Sequence, residues 1–149
     1  MTSGKKEKTI DTFRSGFNCS QAVLSSFSPD LGLEKETALK IACGFGGGIA
    51  RLQETCGAVT GAVMVLGLKY GNYNEDVKQA KEKTYELVRQ FTDKFKKRNG
   101  SLVCRELIKY DLNNEEEHRK AKEENVFSTI CEKCLEDSVT ILEHIISKE

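Results

Sequence analysis

The chain has 149 residues, the length of one domain, and balances 23 Lys+Arg against 23 Asp+Glu. Zero net charge excludes the basic excess of a dedicated nucleic-acid binder, and 7% aromatics with no Trp exclude stacking platforms for single strands. A single proline and periodically grouped apolar residues describe a folded domain in which long helices are allowed.

In chain order the pattern predicts an all-α, single-domain bundle of six or seven helices over residues 1–149, with no convincing strand and no internal repeat. A short first helix covers residues 5–13, with Ile10 and Phe13 as its apolar face, and Ser15-Gly16-Phe17 ends it. Asn18-Cys19-Ser20-Gln21 has the form of a capping box, Asn18 at the N-cap and Gln21 three residues on. The second helix carries Ala22, Val23 and Phe27 and is closed by Pro29. The next spans residues 34–43, with Leu33, Ala38, Ile41 and Ala42 as inward candidates. Gly44-Phe45-Gly46-Gly47-Gly48 cannot be helix interior, since each glycine costs about 1 kcal/mol relative to Ala. It is a loop in which the backbone turns tightly or comes close to something. It lacks the GxxxxGK[ST] pattern of a phosphate-binding loop.

Thr55 is the expected N-cap of a central buried helix, from Cys56 to about Tyr70. This helix holds the most apolar run, residues 57–68, well short of the ~20 residues of a membrane span. Gly57 and Gly61, beside Ala58 and Ala62, have the spacing that lets one helix pack very close to another. Gly71-Asn72-Tyr73-Asn74 is a turn, with Asn74 capping a long helix over residues 75–98. Val77, Ala80, Thr84, Leu87, Val88 and Phe91 follow one face of that helix, and Asn99-Gly100 stops it. Ser101 starts a short helix with Cys104, Leu107 and Ile108. Residues 113–125 are almost wholly charged and read as a solvated helix or loop. Ser128 or Thr129 caps the last helix, which runs through Cys131, Cys134, Val139, Leu142 and Ile145.

The six cysteines are the outstanding feature: Cys19, Cys43, Cys56, Cys104, Cys131 and Cys134. The start of the chain has no basic-then-apolar secretory pattern, so a cytoplasmic location is expected. There, cysteines suit redox or metal chemistry better than a disulfide framework. The plainer alternative is that they are small core residues, since free Cys is among the most buried types. Their positions favour chemistry. Cys19, Cys56, Cys104 and Cys131 each follow a cap candidate closely and so fall in the first turn of a helix. Free N–H groups and the positive dipole end favour a thiolate there. Cys131-Glu132-Lys133-Cys134 is a CxxC whose sulfurs share a helix face. It lacks the βαβ context of a thioredoxin motif, the second CxxC of a zinc ribbon and the His of a haem attachment site. His118 and His144 read as surface or rim residues. Arg51 and Arg105 are near enough in sequence to support thiolates at Cys56 and Cys104, and a solvated arginine is the plainer reading of each.

Phe17-Asn18-Cys19-Ser20-Gln21-Ala22-Val23, Gly44-Phe45-Gly46-Gly47-Gly48, Thr55-Cys56-Gly57-Ala58-Val59-Thr60-Gly61-Ala62-Val63-Met64 and Cys104-Arg105-Glu106-Leu107, with a C-terminal Cys, together resemble the C_GCAxxG_C_C family. The resemblance runs from about Thr9 to Ile146. It implies a compact helical protein suspected of redox activity, with no settled substrate. By motif, the family cysteines match Cys19, Cys56 and Cys104, and the fourth matches Cys131 or, as the alternative, Cys134.

The leading expectation is thus thiol–disulfide exchange or electron transfer through Cys19, Cys56, Cys104 and Cys131, with Cys56 as the reactive centre beside the open Gly57. Its partner would be a redox protein or a small thiol, neither identified by the sequence. The alternative is a module in which Cys19, Cys56, Cys104, Cys131 and Cys134 hold zinc or an iron–sulfur cluster. A third is a non-catalytic helical homodimer with structural cysteines.

Overall fold

The expected helices form, and the charged stretch takes the helical one of its two readings. The computed structural model describes residues 4–74 and 76–149, and among these are eight α-helices and no strand. Met1-Thr2-Ser3, part of the leader reading, and Glu75 lie outside the described residues. The helices are α1 Lys5–Arg14, α2 Cys19–Phe27, α3 Lys35–Ile41, α4 Gly57–Tyr70, α5 Val77–Asn99, α6 Cys104–Ile108, α7 Glu115–Glu123 and α8 Glu132–Lys148. The charged stretch forms α7, where Asn114 accepts from the Glu117 N–H and three glutamates fill the first turn.

The capping box at Asn18 forms in full. Its Oδ1 accepts from the Gln21 N–H at 2.9 Å, and Gln21 Oε1 accepts from the Asn18 N–H at 2.9 Å. The same pair fastens the end of α3: Asn18 Nδ2 donates to Cys43 O and Gln21 Nε2 to Leu39 O. Pro29 ends α2 by opening a 3₁₀ turn, Ser28–Leu31. Several expectations shift, among them the start of α6, which is capped by Val103 and not at Ser101. The long helix is capped by Asp76, whose carboxylate accepts from the Gln79 N–H, and not by Asn74. Val77 and Ile41 lie exposed, because their elements end or begin beyond the packed face. The last helix has no Ser128 or Thr129 cap; a π-turn, Phe127–Cys131, runs straight into α8, and both hydroxyls donate back to Asn125 O.

α4 is the centre of the molecule, with α2, α5 and α8 packed around it. Its seven fully or nearly buried residues include Gly57 and Gly61. A Cβ at Gly57 would lie 2.8 Å from the Ser20 nitrogen and 2.9 Å from Cys19 Cβ. One at Gly61 would lie 2.9 Å from both Ser20 O and Val23 Cβ. The α2–α4 crossing is therefore set by backbone against backbone, as the glycine spacing predicts. Thr60 Oγ1 donates to Ser20 Oγ across it, at 3.1 Å. On the other side of α4, Ser138 Oγ of α8 donates to Ala58 O at 2.8 Å. The Phe91 and Phe95 rings of α5, stacked 5.9 Å apart, fill the space beneath.

Buried side chains form two clusters. The larger spans α1 to α5 and α8 and takes in Leu107 of α6; the smaller gathers Cys104, Ile108, Leu112, Ala121, Val126 and Cys131. Phe13, Cys19 and Ile130 pack against both, so they mark the seam.

Gly61→Ala tests the close crossing. The added methyl gains about 1 kcal/mol of helix propensity but meets atoms that cannot swing aside, and overpacking costs about 1–3 kcal/mol. A net loss of about 1–2 kcal/mol is expected in denaturant unfolding, and an unchanged or raised stability would contradict the crossing.

Candidate functional site

Four chain segments end at the seam between the two clusters, and each has a specific tether. The α2–α4 crossing puts Cys19, first residue of α2, against the start of α4. The starts of α4 and α6 are joined by an antiparallel bridge between Thr55 and Val103. Cys56 N donates to Leu102 O at 2.8 Å and Cys104 N to Glu54 O at 2.6 Å, so both cysteines leave one short ladder. The start of α8 is held by Arg14, which grips the buried Glu132 carboxylate through Nε at 3.0 Å and a terminal nitrogen at 2.7 Å.

The result is a cleft of about 200 Å³ whose wall contains Cys19, Cys56, Cys104, Cys131 and Cys134. Cys43 is exposed and stands apart from it. All six cysteines are free. The rest of the wall is largely apolar, from Phe13, Leu107, Ile108, Leu112, Phe127 and Ile130. Asn18, Arg51 and His118 supply polar groups, and no Asp or Glu among the described residues lines the cleft. His118 stands edge-on to Phe127, 5.8 Å between centroids, so it is a rim residue as expected. Arg51 lines the cleft, whereas Arg105 is turned to Asp111 at 3.7 Å. His144 is on an exposed face of α8, away from the cleft.

The sulfurs influence one another as two pairs, each joining different helices, while the Cys134 Sγ also donates to Asn99 Oδ1 at 3.8 Å. Cys134 pairs with Cys56, and Cys19 pairs with Cys131. The two cysteines of the CxxC thus belong to separate pairs. Helical spacing explains this: residues three apart share a face, but here that face lies across the ends of both α2 and α4. Among the described residues, no group of three or more His, Cys, Asp or Glu side chains is placed to hold a metal ion.

The thiols differ in acidity, and the causes are separable. Cys56 is held below its ordinary value chiefly by the neighbouring Cys134 thiol. Burial opposes this, and the backbone N–H groups of Ala58 and Val59 reinforce it. Cys56 is itself the N-cap of α4, one residue later than the Thr55 cap expected from sequence, so its sulfur sits at the positive end of that helix. Cys134 is raised, first by the neighbouring Cys56 and then by burial. Cys19 is raised well above its ordinary value by the neighbouring Cys131 and by burial. Burial pushes Cys104 up to about 12. A place at a helix start therefore goes with a lowered thiol at Cys56 and with raised ones at Cys19 and Cys104, against the sequence expectation for those two. Desolvation and the neighbouring thiols decide the difference. Cys131 does not start a helix with free N–H groups at all, because the π-turn precedes it.

The glycine loop is more unusual than a tight turn. After the 3₁₀ turn Cys43–Phe45, Gly47, Gly48, Ile49, Ala50 and Arg51 are consecutive left-handed residues, with φ of 63°, 72°, 69°, 48° and 61°. Each non-glycine member costs about 1–2 kcal/mol. Gly48 has a second reason to be glycine: a Cβ there would lie 2.7 Å from Gln53 Cα and 2.8 Å from Cys104 Cβ. The turn is held by Ala50 N to Gly44 O at 2.9 Å, Gln53 N to Gly47 O at 3.0 Å and Asn113 Nδ2 to Arg51 O at 2.8 Å. Gln53, also left-handed, is its anchor. Its buried side chain donates to Tyr110 O at 2.7 Å and accepts from Leu112 N at 2.9 Å. It also touches Cys104. Nothing in the sequence pattern singles out Gln53, because a polar residue between a glycine loop and a helix looks like solvated loop.

A family model described as "Putative redox-active protein (C_GCAxxG_C_C)" matches residues 17–145. No curated protein and no solved structure matches the chain. The match covers nearly the whole sequence and all six cysteines, and the chain belongs to the C_GCAxxG_C_C family.

Gln53→Leu leaves the Tyr110 carbonyl and the Leu112 N–H without partners. It is expected to cost about 2–3 kcal/mol in denaturant unfolding. A neutral substitution would mean that the loop is not anchored there. The raised thiols set a pH dependence. Above about 8.5 the unfolded chain releases protons that the fold retains on Cys19, Cys104 and Cys134, so their contribution makes stability fall as pH rises. Cys56 acts oppositely: its contribution is present above that pH and is lost as pH falls through its folded value. Cys104→Ala is expected to make the alkaline loss shallower by up to about 1.4 kcal/mol per pH unit. Identical slopes in wild type and variant would refute the assignment.

Proposed function

We propose that the chain is a thiol–disulfide exchange protein in which Cys56 is the attacking thiolate and Cys134 the resolving thiol. One observation carries the reading. Cys56, the N-cap of α4, is the thiol made more acid by its surroundings, and it lies on a cleft wall against the S–H group of Cys134. The family's redox description agrees with it.

The Cys56 thiolate attacks one sulfur of a disulfide R–S–S–R. A Cys56–S–S–R bond forms, the substrate S–S bond breaks, and RS⁻ leaves. The departing thiolate takes the Cys134 proton and becomes RSH. Cys134 thiolate then attacks the Cys56 sulfur, releasing the second RS⁻ and closing a Cys56–Cys134 disulfide. Two electrons have passed from the dithiol to the substrate, and an external dithiol returns the pair to its reduced form. Cys19 and Cys131, neighbours on the same wall, are suited to act as a second dithiol. Cys104 is held protonated by burial and fits a packing role at neutral pH. Free thiols throughout suit a reducing compartment such as the cytoplasm. No helix among the described residues is long and apolar enough to cross a membrane.

The test is the rate of iodoacetamide labelling of the folded, reduced protein as a function of pH, read cysteine by cysteine by mass. Among the five cleft cysteines, Cys56 is expected to label first. In Cys134→Ala its midpoint moves to higher pH, because the largest acidifying contact is gone. Cys134→Ser retains a hydroxyl donor and moves it less. First labelling at Cys19 or Cys104, or a midpoint unmoved by Cys134→Ala, would overturn the roles of Cys56 and Cys134.

A further inference from the structure

We infer that the cleft selects small disulfides that combine an apolar body with a carboxylate or an equivalent anion, and that Arg51 recognises the anion. This rests on the exchange reading above and names its substrate class. The cleft is too small for a folded protein domain and of the size for part of a small molecule, at about 200 Å³. Its apolar wall suits a hydrocarbon or aromatic body.

The charge pattern is one-sided. No carboxylate among the described residues lines the cleft, in a chain with 23 acidic residues. The cation that does line it is Arg51, and its guanidinium makes no ion pair or hydrogen bond among the described residues. This sets it apart from Arg105, which spends its charge on Asp111. The N-termini of α2 and α4 add their positive ends to the wall. His118 adds a second ring-nitrogen partner at the rim.

Backbone geometry shows how Arg51 reaches this position. It is the last residue of the left-handed run, at φ 61°, and its carbonyl is pinned by Asn113. A loop free to relax would not keep three successive non-glycine residues left-handed. The turn, locked to the α6–α7 connection through Gln53 and Asn113, holds Arg51, an exposed residue, on the wall of the cleft that holds the thiols.

The experiment compares Cys56 kinetics with two chromogenic aromatic disulfides, the dianionic 5,5′-dithiobis(2-nitrobenzoate) and the neutral 4,4′-dithiodipyridine. Each rate is divided by that of the same protein unfolded in guanidinium, which removes intrinsic reactivity. The normalised anionic-to-neutral ratio is expected to exceed one. It should fall roughly tenfold in Arg51→Met, the scale of one partly screened charge contact, and recover in Arg51→Lys. Arg105→Met, the control, leaves the ratio unchanged. In wild type, raising salt from about 0.01 M to about 1 M should narrow the ratio, which tests the idea even where a variant fails to fold. A wild-type ratio of one or less, a ratio indifferent to salt, or equal ratios in wild type and Arg51→Met overturn the inference while leaving thiol exchange standing. Failure of Cys56 to react with either disulfide overturns the exchange reading itself.

Discussion

The contact on which the rest depends is the backbone-to-backbone crossing of α2 and α4 at Gly57 and Gly61. With Ser20 nitrogen, Ser20 oxygen and Cys19 Cβ all within 3 Å of where a Cβ would stand, the two helices have no room for side chains between them. Their N-termini therefore begin side by side. Every later tether builds on that. The Thr55–Val103 bridge brings α6 to the same edge, and Ser138 and the Arg14–Glu132 pair fasten α8 to it. Cysteines separated by up to 115 positions in the chain, Cys19 to Cys134, come to line one cleft because they all sit where these segments begin.

Convergence alone does not make a reactive thiol. Cys19, Cys56 and Cys104 have similar places at helix starts, yet only Cys56 of the three is made more acid. The difference lies in what each sulfur receives. Cys56 has the Cys134 thiol and the Ala58 and Val59 N–H groups close by, and these favour its charged form over the cost of burial. Cys19 has burial and neighbouring thiols that disfavour charge, and Cys104 has burial above all. In an interior of low dielectric constant, such close neighbours outweigh the general field of a helix end. The same contact raises Cys134 as it lowers Cys56, which divides one pair into an attacking and a resolving member.

Local patterns make much of this legible from the sequence. The Asn18–Gln21 capping box, the Gly57–Gly61 close approach and the Gly100 stop are all set by residues within one helical turn, and all three form as read. Of the caps read beside the cysteines, only Asn18 forms as read; Thr55, Ser101 and the Ser128/Thr129 pair give way to Cys56, Val103 and a π-turn. The features that stay hidden depend on distant partners. Thr55 looks like the better cap, but its backbone is committed to Val103 and the cap falls to Cys56. The CxxC suggests a pair within one helix, and only the positions of α2 and α4 divide it. Gln53 owes its role to Tyr110 and Leu112, which the sequence places far from it. The left-handed turn is hidden for a different reason: glycine at 47 and 48 announces it, but Ile49, Ala50 and Arg51 argue against it, and tertiary hydrogen bonds override them.

In the proposed mechanism the working dithiol joins α4 to α8 and is not the CxxC. Each cysteine falls on its own tryptic peptide, since Lys133 separates Cys131 from Cys134. The decisive experiment is to oxidise the folded, reduced protein with one equivalent of a soluble disulfide, trap the remaining thiols at low pH and map the first disulfide formed by peptide mass. A Cys56–Cys134 link is expected first, with Cys19–Cys131 following at higher oxidant. A first disulfide between Cys131 and Cys134 would contradict the division of the CxxC between two pairs.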